Sequence, residues 1–96
     1  MDALEKLHAH EKKVFPALDA VERSGEMPEL MKKRYDAVKN GDESADAYAA
    51  LSDSLFEYSG MFDKKEQSHI AEYRELIEAY FKEAGGTDTP NTYDPL

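Results

Sequence analysis

The chain of 96 residues contains no cysteine. This absence excludes a disulfide framework, a zinc site built from thiolates and a catalytic cysteine, so the fold depends on packing alone. Long apolar runs are also missing, since no stretch approaches the roughly 18 apolar residues that span a bilayer. Residues 1–8 have neither the basic start nor the apolar segment of a signal peptide. We therefore expect a cytoplasmic protein.

Positive charge is scarce: 12 Lys and Arg residues stand against 21 Asp and Glu residues, for a formal net charge of -9. Such a chain repels phosphate backbones and anionic lipid surfaces, so we expect neither a nucleic-acid partner nor a membrane partner. The main cluster of cations is expected to face water near the end of a helix; it comprises Lys32, Lys33, Arg34 and Lys39.

Recognisable catalytic motifs are absent as well. The sequence has no nucleophile elbow, no phosphate-binding glycine loop and no zinc-protease motif. Carboxylate and imidazole groups on helical faces are the chemistry that remains. We therefore expect a protein that is not an enzyme.

Glycine and proline are few, five and four residues, and most of them lie where a helix is expected to begin or end. Gly25, Gly41 and Gly85 each follow a segment of helical periodicity, as terminating glycines do. Pro28 suits the first position of a helix because its backbone angle is fixed and its amide hydrogen is missing. The pattern predicts helices over residues 2–23, 28–39 and 43–84.

Two positions interrupt this pattern from within. Pro16 removes a helical hydrogen bond, which predicts either a kink or two shorter helices. Gly60 permits either one long helix or a break, and we favour a break because Asp63-x-x-Glu66 resembles the capping signature of a new helix. The expected fold is an all-α bundle of three or four helices over residues 1–84, with a disordered, flexible tail over residues 85–96.

One face of the second half of the chain is apolar and aromatic at steps of three and four residues, which predicts that it is buried. The chain also has six tyrosines and four phenylalanines, more than a small core comfortably encloses. Because aromatic residues are enriched at interfaces, the set predicts a partner-binding face. The apolar face comprises Tyr48, Leu51, Leu55, Tyr58, Phe62, Tyr73, Leu76 and Tyr80, and the predicted binding residues are Tyr58, Phe62, Tyr73, Tyr80 and, from the tail, Tyr93 and Leu96.

The apolar face is interrupted by Glu66 and His69, which form a Glu-x-x-His pair. Carboxylate metal sites in helix bundles use such a pair together with a glutamate from another helix, because a step of three residues directs both ligands at one ion. Two copies of the pair in a homodimer resemble the encapsulated ferritins, and this resemblance implies iron or another divalent metal held by Glu66, His69 and Glu11. A purely local role as helix-forming residues with i, i+3 partners is the alternative.

Antiparallel first and last helices would place Glu11 opposite the far end of the last helix, so only a dimer is expected to unite the three groups. The segment from His8 to Asp19 is similar in style to the hemerythrin family. Three histidines in the whole chain are too few for the ligand set of that family.

The predicted function is therefore that of a small acidic helical protein-binding module: an adaptor, inhibitor or regulator that acts through an aromatic helical face and self-associates as a homodimer. A dimeric ferritin-like iron protein is one alternative. The other is an acidic mimic of nucleic acid that occupies a basic groove of another protein.

Overall fold

A computed structural model describes residues 2–84 of the chain. This part is an all-α bundle, as the sequence predicts, and contains no strand. The predicted tail, with Tyr93 and Leu96, lies outside the described residues. In chain order the helices are α1 (Ala3–Ser24), α2 (Glu29–Lys39), α3 (Ala45–Glu57), a single 3-10 turn (Ser59–Met61) and α4 (Lys64–Glu83).

The long first helix is continuous through its proline. Asp2 caps the start of α1 by accepting a hydrogen bond of 2.8 Å from the Glu5 amide, and Gly25 ends the helix with a left-handed φ of 79°. Pro16 is exposed, so water can solvate the helical carbonyl that it leaves without a donor. The expectation of two shorter helices is therefore wrong.

The predicted break at Gly60 is confirmed. Ser59–Met61 forms the 3-10 turn, and Asp63 then caps α4. The Asp63 carboxylate accepts a hydrogen bond of 2.8 Å from the Glu66 amide, and the Asp63 amide donates one of 3.0 Å to the Glu66 carboxylate. This reciprocal arrangement is a capping box, which satisfies two of the amides that a helix start leaves without partners.

The bundle is held by α4, which packs between α1 and α3, while α2 covers the other side of α3. The buried stripe of α4 is Ile70, Tyr73 and Ile77, whereas Leu76 and Tyr80 from the predicted face are only partly buried. No helix within residues 2–84 has both the length and the apolar character needed to cross a bilayer. The core comprises Leu7, Val14, Leu18, Met31, Tyr35, Val38, Ala47, Tyr48, Leu51, Leu55, Phe62, Ile70, Tyr73 and Ile77.

Candidate functional site

The predicted aromatic binding residues do not share one surface. Tyr73 is fully buried and Phe62 nearly so, whereas Tyr58 and Tyr80 are half-buried. Tyr73 fills the space between helices, where its ring lies 6.3 Å from that of Phe15 and 6.5 Å from that of Tyr48. The exposed surface of residues 2–84 therefore excludes Tyr73 and Phe62.

A buried carboxylate explains why Tyr73 points inward. The hydroxyls of Tyr48 and Tyr73 each donate a hydrogen bond of 2.8 Å to Oε2 of Glu11. Burial, together with the negative charge of Glu11, raises the pKa of both tyrosines, so the hydroxyls stay protonated and donate. A carboxylate in a core is costly unless such donors satisfy it. Glu11 thus has a structural role that joins α1, α3 and α4.

His8 connects this cluster to the loop between α2 and α3. Its Nδ1 lies 2.9 Å from Oε1 of Glu11, and its Nε2 lies 2.9 Å from Oε2 of Glu43. The hydrogen bond to Glu11 is the main cause that raises the pKa of His8, against the opposing effect of desolvation, and Glu43 adds to the increase. An imidazolium fits this position because it can donate from both ring nitrogens.

The three predicted metal ligands are not brought together within the single chain. Glu66 belongs to the capping box, and Glu11 accepts the two tyrosine hydroxyls. The His69 ring packs edge-on against that of His10 at 6.1 Å, and its buried Nδ1 has no hydrogen-bond partner among the described residues. No group of three or more His, Asp and Glu side chains in residues 2–84 is arranged to hold a metal ion. The dimeric iron site, which needs a second copy, stays a prediction.

The expected position of Glu11 was wrong. Glu11 contacts Tyr73 near the middle of α4 and not its far end, and the neighbouring His10 contacts His69. Glu66, in the first turn of α4, is bonded to Asp63. Periodicity gives the face of each helix but not the offset between two helices, which packing sets.

Arg34 also departs from its expected exposure. Its side chain is buried, and Nη1 donates a hydrogen bond of 2.9 Å to the hydroxyl of Ser54, which is fully buried on α3. The arginine therefore helps to join α2 to α3 and does not belong to a solvent-facing basic cluster.

A groove lies on the outer face of the bundle between α3 and α4. The α3–α4 groove has a volume of about 610 Å³. Its α3 wall consists of Ala49, Ser52 and Asp53, and its α4 wall is formed by residues between Ala71 and Lys82, including Arg74, Glu75, Ile77, Glu78 and Phe81.

Phe56 stands beside this groove with 66% of its surface exposed. The Arg74 guanidinium lies over the ring, 4.7 Å from its centroid, while Nε of Arg74 donates to the backbone oxygen and to the hydroxyl of Ser52 at 3.1 and 3.0 Å. Met61, 37% exposed, is the other large apolar residue of the described range that is exposed.

Sequence reasoning missed this surface because Phe56 lies outside the predicted apolar face. The sequence contains a second stripe on α3 at helical spacing, formed by Ala49, Ser52, Asp53 and Phe56. The signal of a binding surface is its aromatic residue, Phe56, at a position expected to face water.

No protein-family model, curated protein or solved structure matches the chain. The function must therefore follow from the chemistry of the residues themselves. In the Glu11 cluster, which consists of Glu11, Tyr48 and Tyr73, the buried carboxylate already accepts two hydrogen bonds from the protein. The α3–α4 groove and Phe56, in contrast, face solvent. Of the two features, the groove is the one that a ligand can reach.

Proposed function

We propose that the protein is a small acidic binding module, an adaptor, inhibitor or regulator, that acts by holding a segment of another protein in the α3–α4 groove. The observation that carries this proposal is the exposed Phe56 beside a groove of about 610 Å³. The proposed class of function is the predicted one, but the proposed binding surface is Phe56 with the α3–α4 groove and not the buried aromatic residues.

The exposed ring of Phe56 favours association with a partner, because covering it removes apolar surface from water. Full burial of such a side chain contributes about 1.5–3 kcal/mol. Phe56 retains 66% of its exposure, so most of that contribution is still to be gained when a partner covers the ring. Arg74 holds the ring in place through a cation–π contact, which reduces the entropy that is lost when a partner docks.

The size and lining of the groove also suit a polypeptide. Pockets that enclose ligands usually measure about 300–1,000 Å³ and combine apolar walls with a few polar groups. Ile77 lies at the buried side of this groove and Phe81 is half-buried in its wall, while carboxylates and Arg74 line the remainder. Apolar contacts can therefore supply affinity, and polar groups can fix the register.

The test is an unbiased selection of peptides on the full chain. We expect a displayed library of random peptides, each about 16 residues and so long enough for about four helical turns, to yield binders. Amide resonances of α3 and α4 along the groove should shift in nitrogen-15 spectra when these peptides bind. Phe56→Ser should weaken binding by at least about fivefold, as expected for an interface anchor.

Met61→Ser is the matched control, because it removes the other exposed large apolar side chain of residues 2–84, which does not line the groove, whereas Phe56 stacks against Arg74 of the α4 wall. Equal losses from the two variants, or shifts confined to other faces of the bundle, would contradict the proposal. Sedimentation of the chain alone tests the separate prediction that the protein forms a homodimer.

A further inference from the structure

We infer that the partner segment is an amphipathic α-helix whose apolar stripe is flanked by lysine and arginine side chains. The inference rests on the proposed function of the α3–α4 groove and adds the conformation and the charge of the occupant. It follows from the shape of the walls, the position of the apolar anchors and the balance of charge.

The walls of the groove are two antiparallel helices. The ring of Tyr48, early in α3, lies 5.5 Å from that of Tyr80, late in α4, while Ser52 is bonded to Arg74, which comes earlier in α4. A groove between such helices follows their axes, and the side chains of a third helix fit between the two ridges. From Ala71 to Lys82 the α4 wall is about 17 Å long, which matches about three turns of a docked helix.

A helix suits these walls better than an extended strand does. A strand gains affinity by pairing its backbone with a sheet edge, and residues 2–84 contain no strand to provide one. The backbone amides and carbonyls inside α3 and α4 are already paired within each helix, so a docked strand would leave its own groups unsatisfied. A helix satisfies its backbone internally. Ala49 and Ala71 add small side chains to the two walls, and the Arg74 side chain crosses the groove to Ser52.

The aromatic anchors are spaced for a helical partner. Phe56 lies at the level of Arg74, and Phe81 follows Arg74 by seven residues on α4. Seven residues are about two turns, or about 10 Å. A partner helix with apolar residues at positions i, i+3 or i+4, and i+7 can cover both rings and the groove floor between them.

The charges at the groove favour a basic partner. Asp53, Glu75 and Glu78 line it against Arg74 and Lys82. Lys82 and Glu78 pair with each other at 3.2 Å, which leaves the carboxylates of Asp53 and Glu75 against the guanidinium of Arg74. The lining therefore has a small excess of negative charge, which favours lysine or arginine on the partner. The net charge of -9 attracts a basic partner over longer distances and repels a second copy of the chain.

Two synthetic helices test the inference directly on the full chain. Both carry the same leucine stripe over about 18 residues; one is flanked by lysines and the other by glutamates. We expect the lysine helix to bind at least about tenfold more tightly at low salt, with shifts confined to groove amides, and to weaken as salt is raised. Comparable affinities would overturn the inference.

Charge reversal in the protein provides the second arm. Asp53→Lys with Glu75→Lys should abolish or reverse the preference between the two helices. Glu26→Lys with Glu72→Lys is the matched control, since it changes the net charge equally at exposed residues outside the groove lining, and it should preserve the preference. A preference that the control variant loses to the same extent would assign the effect to net charge and contradict a role for the groove.

The outcomes separate the inference from the proposed function. Groove binding by uncharged or acidic library peptides in place of the lysine helix refutes the inference and leaves the proposed function standing. If no peptide of any kind shifts groove amides, both fail. A dimer that dissociates on Phe56→Ser overturns the inference in favour of a second copy as the occupant.

Discussion

Tyr73→Phe removes one hydroxyl from the interior and leaves the packing of the ring in place. That hydroxyl donates a hydrogen bond of 2.8 Å to the buried carboxylate of Glu11. Tyr73 is fully buried, so water cannot replace the lost donor. A hydrogen bond to a charged group contributes about 1.5–3 kcal/mol, and we expect the free energy of unfolding to fall by that amount.

This loss is large for the whole domain. Small proteins have unfolding free energies of about 5–15 kcal/mol, so the change removes a substantial share of the stability. With a urea dependence of about 1–3 kcal/mol per molar, the midpoint of unfolding followed by circular dichroism should fall by roughly 1 M. Tyr48 still donates to the same oxygen, which lets the variant fold.

Tyr58→Phe is the control. Tyr58 is half-buried, and the tyrosine donors to Glu11 are Tyr48 and Tyr73, so removal of the Tyr58 hydroxyl should change the unfolding free energy by no more than about 0.5 kcal/mol. If Tyr73→Phe has as small an effect as Tyr58→Phe, the Glu11 cluster is not a structural centre and the reasoning fails.

Three further predictions concern single groups. The folded-state pKa of His8 is raised above 6.5, so the contribution of this histidine to the free energy of unfolding should be complete below pH 6.5 and should disappear as the pH rises through the folded-state pKa. The urea midpoints of the wild type and of His8→Gln should therefore become equal at pH values above that pKa. Asp63→Ala removes the capping box and should lower the unfolding free energy by about 0.5–2 kcal/mol in urea denaturation, whereas Lys65→Ala, at an exposed position in the same turn, should have little effect. The monomer should give no stoichiometric heat with ferrous ion in calorimetry, because Glu66 is held by its cap and does not join His69 in a ligand set; a saturable signal that His69→Ala abolishes would restore the iron alternative.

Local signals in the sequence predicted much of the fold. Gly25 ends the first helix and Asp63 begins the last, because left-handed glycines and capping boxes depend only on residues a few positions apart. The break at Gly60 follows from the same kind of signal. These features required no knowledge of how the helices pack.

The positions that sequence reasoning misplaced depend on distant contacts. Periodicity correctly predicted that Tyr73 is buried, but the acceptor of its hydroxyl, Glu11, lies 62 residues away. Arg34, which was expected to face water, is buried and donates to Ser54 on the facing helix. Neither relation leaves a trace in helical periodicity. Phe56 was missed because a rule that seeks buried aromatics overlooks one at a solvent-facing position, and such a residue is informative about binding.

The most direct test of groove binding is an isotope-filtered nuclear Overhauser measurement on the labelled full chain with an unlabelled bound peptide. We predict contacts between the peptide methyl groups and the ring protons of Phe56 and Phe81. Contacts confined to Met61 or Tyr58, with none at Phe56 or Phe81, would contradict the claim that this protein binds its partner between α3 and α4.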